Sequence, residues 1–155
     1  DKGLGQEALP AIQPYTDGDM PGSIRVACAS NKAEELDGHF GSCARFLVYQ
    51  VDSNETRLID IRPTNGPEAR DDKNAYRAGL IEDCQVLFVA SIGGPAAAKV
   101  VKTGVHPIKH PAGGTSRERI ADLQSVLASS PPPWLAKVMG HGEEERIRFE
   151  REAEA

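Results

Sequence analysis

Several things are scarce in this chain, and each scarcity removes a class of protein. No apolar run approaches the ~20 residues a membrane-spanning helix needs, so no such span is expected. The opening DKGLGQEALP has no basic stretch followed by an apolar one, so no secretory leader is expected either. It also lacks an initiator methionine, as an excised fragment or processed product would. Positive charge is in deficit: 18 Lys and Arg against 23 Asp and Glu leave a net charge of −5. A nucleic-acid binder normally carries a basic stripe instead. Cysteine is limited to Cys28, Cys43 and Cys84, an odd number at irregular spacing. That makes no disulfide framework and points to a reducing, cytoplasmic compartment. Enzyme signatures are missing too, with no G-x-S-x-G, C-x-x-C, H-E-x-x-H or kinase motif.

What is present suffices for one domain, since 155 residues with 39% apolar content can bury a real core. Residues 1–22 hold Pro10, Pro14, Pro21 and several glycines without a sustained period, and read as a linker or N-terminal arm. From Ser23 to Ser30, Ile24, Val26 and Cys28 alternate with Ser23, Arg25 and Ala27, predicting a strand with one face in the core. RFLVYQVD (45–52) and TRLIDIR (56–62), joined by the short polar link SNE, predict an antiparallel hairpin. A helix is expected near Ala69–Ile81. The continuous apolar run QVLFVAS (85–91) then predicts a strand buried on both faces. IGGPAAAKVVKTG gives a helix with Pro95 in its first turn and Gly104 as its stop. VHPIKHPAGG must be extended, because Pro107 and Pro111 deny it a helix. Thr115 and Glu118 stand at capping-box spacing before a helix that buries Ile120, Leu123 and Leu127. After PPPW, LAKVM reads as a short helix, and residues 141–155 as a charged helix or tail. The compact part, 23–140, is therefore an α/β layered domain with a mixed sheet, a hairpin first and parallel crossovers after it.

In open α/β sheets ligands sit beyond the carboxyl ends of the parallel strands. Three loops should meet there: DGHFGSC after the first strand, SIGGPA after the fourth and PAGGTS after the fifth. Gly93-Gly94 and Gly113-Gly114 each open a helix, so they either make tight turns only or turn free amides and a positive dipole end towards an anion. His39 lies between Gly38 and Gly41 on a constrained, exposed turn. It could bind a metal through one ring nitrogen while the other is oriented by a neighbour, with Cys43 adding a soft thiolate. The alternative is a turn histidine hydrogen-bonded to backbone, with Cys43 packed inside. His106 and His110 do not form a chelate, because side chains four apart on an extended chain stand roughly 13 Å from each other. Asp52 and Asp60 lie on hairpin strands and fall short of the convergent carboxylates that a two-metal nuclease requires. Cys28 alternates into the core and is expected to be inert, and Cys84 shows no partner.

VACASNKAEELDGHFGSCARFLVYQVD followed by CQVLFVASIGGPAAAKVVKTGVHPI resembles the nitrogenase accessory family that includes NifX, NifY, NafY and the C-terminal part of NifB. The likeness covers roughly Ile24 to Leu127, and its most specific element is the His-Phe-Gly-Ser loop joined to the Gly-Gly turn. The resemblance implies a ribonuclease H-like three-layer α/β domain, a mixed five-stranded sheet flanked by helices, without nuclease activity. It implies a non-enzymatic carrier that binds the iron–molybdenum cofactor, or its iron–sulfur precursor, and delivers it to apo-dinitrogenase alongside cofactor-assembly proteins. The family's cofactor-binding histidine falls on His39, the metal ligand by that analogy. The homocitrate carboxylates of such a ligand would suit the amides of Gly93, Gly94, Gly113 and Gly114, with Arg45 or Lys109 nearby. A monomer with no membrane or nucleic-acid partner is expected. Two rivals share the same crevice: a small metal-dependent hydrolase or nuclease, and a protein-interaction domain that holds apo-dinitrogenase without cofactor.

Overall fold

The computed structural model describes residues 9–66, 72–129 and 131–140. The order is β1 (Ile24–Ser30), β2 (Arg45–Val51), β3 (Thr56–Pro63), α1 (Lys73–Leu80), β4 (Val86–Val89), α2 (Gly94–Lys102), β5 (His106–Lys109), α3 (Ser116–Ala128) and α4 (Pro133–Gly140). The strands lie β3-β2-β1-β4-β5. The first three pair antiparallel, while β1–β4 and β4–β5 are parallel. The hairpin link is short because Asp52 caps it, its Oδ1 accepting from the amides of Asn54 and Glu55 at 2.8 and 2.6 Å. The mixed five-stranded α/β sheet read from the sequence is therefore the one observed. Among the described residues no helix is long and apolar enough to cross a membrane.

Helices cover both faces of the sheet. Ala27, Ala29, Phe46, Val48, Leu87 and Val89 pack against Ala78 and Ile81 of the α1 region and Ala96 and Val100 of α2. Val26, Cys28, Leu47, Tyr49 and Phe88 pack against Ile120, Leu123 and Leu127 of α3 and Leu135 of α4. This corrects the expectation for β1, which is buried on both faces apart from Arg25. It lies at the sheet centre, and its alternate positions 27 and 29 are alanines small enough to sit under helices.

Other boundaries follow from caps. The helix expected from 69 begins at Lys73, where the Asp72 carboxylate accepts from Ala75 N at 3.0 Å; residues 69–71 lie outside the described residues. α2 stops at Thr103, and Gly104 takes φ 92°. The capping box of Thr115 and Glu118 is formed in full. The last helix starts at Pro133 and includes Trp134, earlier than the LAKVM segment suggested, because Pro fits a first helical turn. Residues 9–22 of the supposed arm meet the free edge of β3, where Gln13 N donates to Leu58 O at 2.8 Å. They also bury Met20. Residues 1–8 and the tail 141–155 lie outside the described residues.

Candidate functional site

Because β1, β4 and β5 are parallel, Ser30, Val89 and Lys109 end at one edge of the sheet, and antiparallel β2 begins there at Arg45. The connection 31–44 crosses this edge. Its two ends are closed by Asn31, whose Oδ1 accepts from Ala44 N at 2.9 Å while its amide donates to Asp37 Oδ1 at 2.7 Å. Residues 38–40 then wedge between β1 and β4: Gly38 N donates to Ala29 O, Ala90 N to Gly38 O, and Phe40 N to Ser91 O at 3.2, 2.8 and 3.0 Å. Only glycine fits at 38, since a Cβ there would stand 2.7 Å from both Ala29 C and Cys43 Cβ. Gly38 and Phe40 are buried, so the strand-like alternation turns His39 outward. Phe40 anchors the turn in the core beside Phe46, ring centroids 5.8 Å apart.

The His39 ring is not loose. Its Nδ1 is hydrogen-bonded to Ser91 Oγ. In the tautomer with Nδ1–H donating to that hydroxyl, Nε2 keeps its lone pair directed away from the protein, the arrangement of a histidine ready to ligate a metal. Ser91 went unrecognised in the sequence, although a polar residue closing the apolar run of β4 at a ligand-facing edge was its signal.

The third loop joins the same edge. Leu36 N donates to Gly114 O at 2.8 Å, Ser116 N to Glu34 O at 2.7 Å, and Glu35 bridges Thr115. The three loops expected to converge are thus in contact.

The candidate residues divide within this frame. Gly93 is the N-cap of α2 with no side-chain cap, and the space beside Gly93 and Gly94 is open. The amides of Gly94 and Ala96 carry no hydrogen bond among the described residues, so this turn can face an anion. Gly113 and Gly114 differ. Their φ angles of 75° and 95° make them turn-formers. Three of the amides they lead to are already engaged, Thr115 N by Glu118 Oε1, Ser116 N by Glu34 O and Glu118 N by Thr115 Oγ1. This turn therefore offers an anion fewer open amides than Gly93-Gly94 does. Arg45 is half-buried, and its Nη1 donates to Asn31 O at 2.8 Å, so it braces the loop. Lys109 is exposed at the end of edge strand β5.

Cys43 is 1% exposed and turned inward rather than presented beside His39. Burial pushes its thiol up, and the Arg77 guanidinium, 3.4 Å from Sγ, offsets part of that rise. Cys28 is fully buried, its thiol pushed up to about 12 mainly by burial, and Cys84 is likewise raised by burial. Cys28 is a packing group, as expected, whereas Cys84, read from the sequence as partnerless, has its Sγ 3.8 Å from Asp83 Oδ1. His106 stacks on Trp134 at 4.6 Å in a cleft of about 550 Å³ at the opposite edge of the sheet, lined also by Glu82 and Lys137. His110 packs edge-on against Phe88. Asp60 pairs with Arg62 and Asp52 caps its turn, so neither carboxylate faces His39.

With this edge described, similarity to known proteins can be placed on it. A family model described as dinitrogenase iron-molybdenum cofactor matches residues 22–126, from β1 into α3, and so takes in the whole His39 edge. The chain belongs to this family. Within the dinitrogenase iron-molybdenum cofactor family it is 50% identical over 146 residues to the protein NifY of Azotobacter vinelandii, covering 94% of this chain and 60% of that one. To the protein NifX of Rhodobacter capsulatus it is 36% identical over 132 residues, covering 79% and 83%. The chain thus spans about 60% of the length of the NifY proteins of A. vinelandii and Klebsiella pneumoniae. A solved structure from Methanocaldococcus jannaschii shares the fold, with a TM-score of 0.50 over 68% of this chain and 91% of that one at 14% identity.

Proposed function

We propose that this chain is a non-enzymatic carrier that binds the iron–molybdenum cofactor, or its iron–sulfur precursor, and passes it to apo-dinitrogenase during nitrogenase maturation. The observation that carries the reading is His39, exposed between two buried neighbours, with Nδ1 held by Ser91 so that Nε2 is left for a ligand. One imidazole ligand suits a soft metal cluster, and it suits release, since a full set of protein ligands would hold the cargo too firmly to hand on.

The anionic part of such a ligand, homocitrate, would meet the open amides at Gly93 and Gly94, with Arg45 and Lys109 as cations of the same edge. Cys43 and the Gly113-Gly114 turn support the site from beneath and beside it. The strand order and the helices on both faces suit a ribonuclease H-like label for the fold, here carrying no nuclease chemistry. The protein would act as a cytoplasmic monomer beside cofactor-assembly proteins.

Anaerobic titration with isolated iron–molybdenum cofactor separates this reading from its rivals. A carrier binds stoichiometrically without turnover. Hydrolysis of nucleic acid or ester substrates with an added divalent metal, or tight binding of apo-dinitrogenase with no cofactor affinity, would overturn it.

A further inference from the structure

Arg77 of α1 is 7% exposed, and among the described residues it forms no ion pair with a carboxylate. Burying a guanidinium without a counter-charge is costly, so the position needs a reason. Its Nη1 donates to two backbone carbonyls of the His39 turn, Phe40 O and Cys43 O, both at 3.0 Å. These two carbonyls are not equivalent. Cys43 O also accepts from Thr64 Oγ1 at 2.7 Å. Phe40 O has, besides Arg77, only the weak thiol of Cys43 at 3.9 Å. The Phe40 residue is therefore clamped twice, its N–H by Ser91 O of β4 and its carbonyl by Arg77 of α1. Both clamps lie one peptide from His39. The turn's own bonds, from Ser42 N and Cys43 N to His39 O, close it locally but do not tie it to the helix layer.

We propose that Arg77 is the positioning residue of the ligand site, fixing the Phe40–Cys43 turn from beneath so that His39 is aimed outward and Cys43 stays inside. This rests on the reading of His39 as the cargo ligand. The two N–H bonds of the planar Nη1 group can hold both carbonyls at once in a fixed geometry, whereas an ammonium is a compact charge on a flexible stem. Without it, Phe40 O is a buried carbonyl left to a weak thiol donor, and the turn gains from opening towards water. Opening shifts His39 and uncovers Cys43.

The experiment compares Arg77→Met, Arg77→Lys, His39→Ala and a core control on the other face of the sheet, Leu127→Ala. Two readouts are taken: affinity for isolated iron–molybdenum cofactor, and the rate at which a disulfide reagent modifies Cys43 in the ligand-free protein, assigned by peptide mapping. Expected are an affinity loss of about tenfold and a rise of about tenfold in Cys43 modification for Arg77→Met, with Arg77→Lys between it and the parent. Leu127→Ala should lower the melting temperature without either effect. The inference is overturned if Leu127→Ala and Arg77→Met lose affinity in proportion to stability, or if Cys43 stays as inert in Arg77→Met as in the parent. Should Arg77→Met fail to fold, Arg77→Lys decides, and parent-like values in it overturn the claim. Unchanged affinity in His39→Ala would sink the cargo reading instead, while Cys43 modification would still test the clamp.

Discussion

Gly38→Ala is the change the geometry prices most directly. The added Cβ would lie 2.7 Å from Ala29 C, 2.7 Å from Cys43 Cβ and 2.9 Å from Ala29 O. Two of these atoms are backbone of β1, the central strand, bonded on both sides and unable to move. The connection must lift instead, which breaks the pair of bonds from Gly38 N to Ala29 O and from Ala90 N to Gly38 O. Overpacking of this kind costs about 1–3 kcal/mol, and the rigid neighbours place this case near the upper end. At roughly 2–4 °C per kcal/mol for a chain of this size, the melting temperature should fall by roughly 5–10 °C. Lifting residue 38 also swings His39 off Ser91, so cofactor affinity in the folded fraction should fall too. Gly41→Ala is the control: its Cβ would meet only the flexible Lys73 side chain, Nζ at 3.8 Å, and stability should stay within about 0.5 kcal/mol. Thermal melts by circular dichroism and an anaerobic cofactor titration read both. If Gly38→Ala melted within about 2 °C of the parent and bound cofactor equally, the wedge would not be what sets His39.

Other changes separate the roles assigned around the edge. Gly94 does not occupy the left-handed region and its Cβ would enter open space, so Gly94→Ala should stabilise by about 0.4–1 kcal/mol in chemical denaturation while weakening cofactor binding. Gly114→Ala should do the reverse, losing about 1 kcal/mol or more through its φ of 95° and keeping affinity once folded. Ser91→Ala removes the partner of Nδ1 and should weaken cofactor binding about tenfold with little change in melting temperature. Asp83 supplies a pH test: burial would raise its pKa, but Arg62 and then Arg25 outweigh it and hold it at about 2, against an ordinary 3.8. Its contribution is thus complete above about pH 4 and lost as pH falls towards 2. Screening at this part-exposed pair limits it to about 1 kcal/mol. Urea midpoints across that window should fall less steeply for Asp83→Asn than for the parent.

The sequence revealed what depends on local spacing and missed what depends on distant partners. The α3 box was legible because Thr115 and Glu118 are three residues apart and satisfy each other. The His39 turn was legible from Asp37, Gly38 and Gly41, and its edge from the alternation of strands and helices. β1 was misread as half-buried because Ala27 and Ala29 look neutral in an alternating pattern, and only the helices packed above them reveal that they are core. That the Ser116 amide beyond the Gly113-Gly114 turn is taken was not legible, because its partner is the distant Glu34. Arg77 was not singled out in the sequence. Its position four residues before Ile81 and beside Ala78 places it on the buried stripe, which is a signal of helical period rather than of composition.

The most direct test of the account is the affinity of His39→Ala for isolated iron–molybdenum cofactor, measured anaerobically beside its melting temperature. The side chain is exposed and its backbone is held by Gly38, Phe40 and Ser91, so the fold should lose less than about 1 kcal/mol. The account predicts binding at least about tenfold weaker at an essentially unchanged melting temperature. Parent-like affinity in a folded His39→Ala protein would contradict it, because no other described side chain at this edge offers an outward nitrogen or sulfur ligand fixed in place.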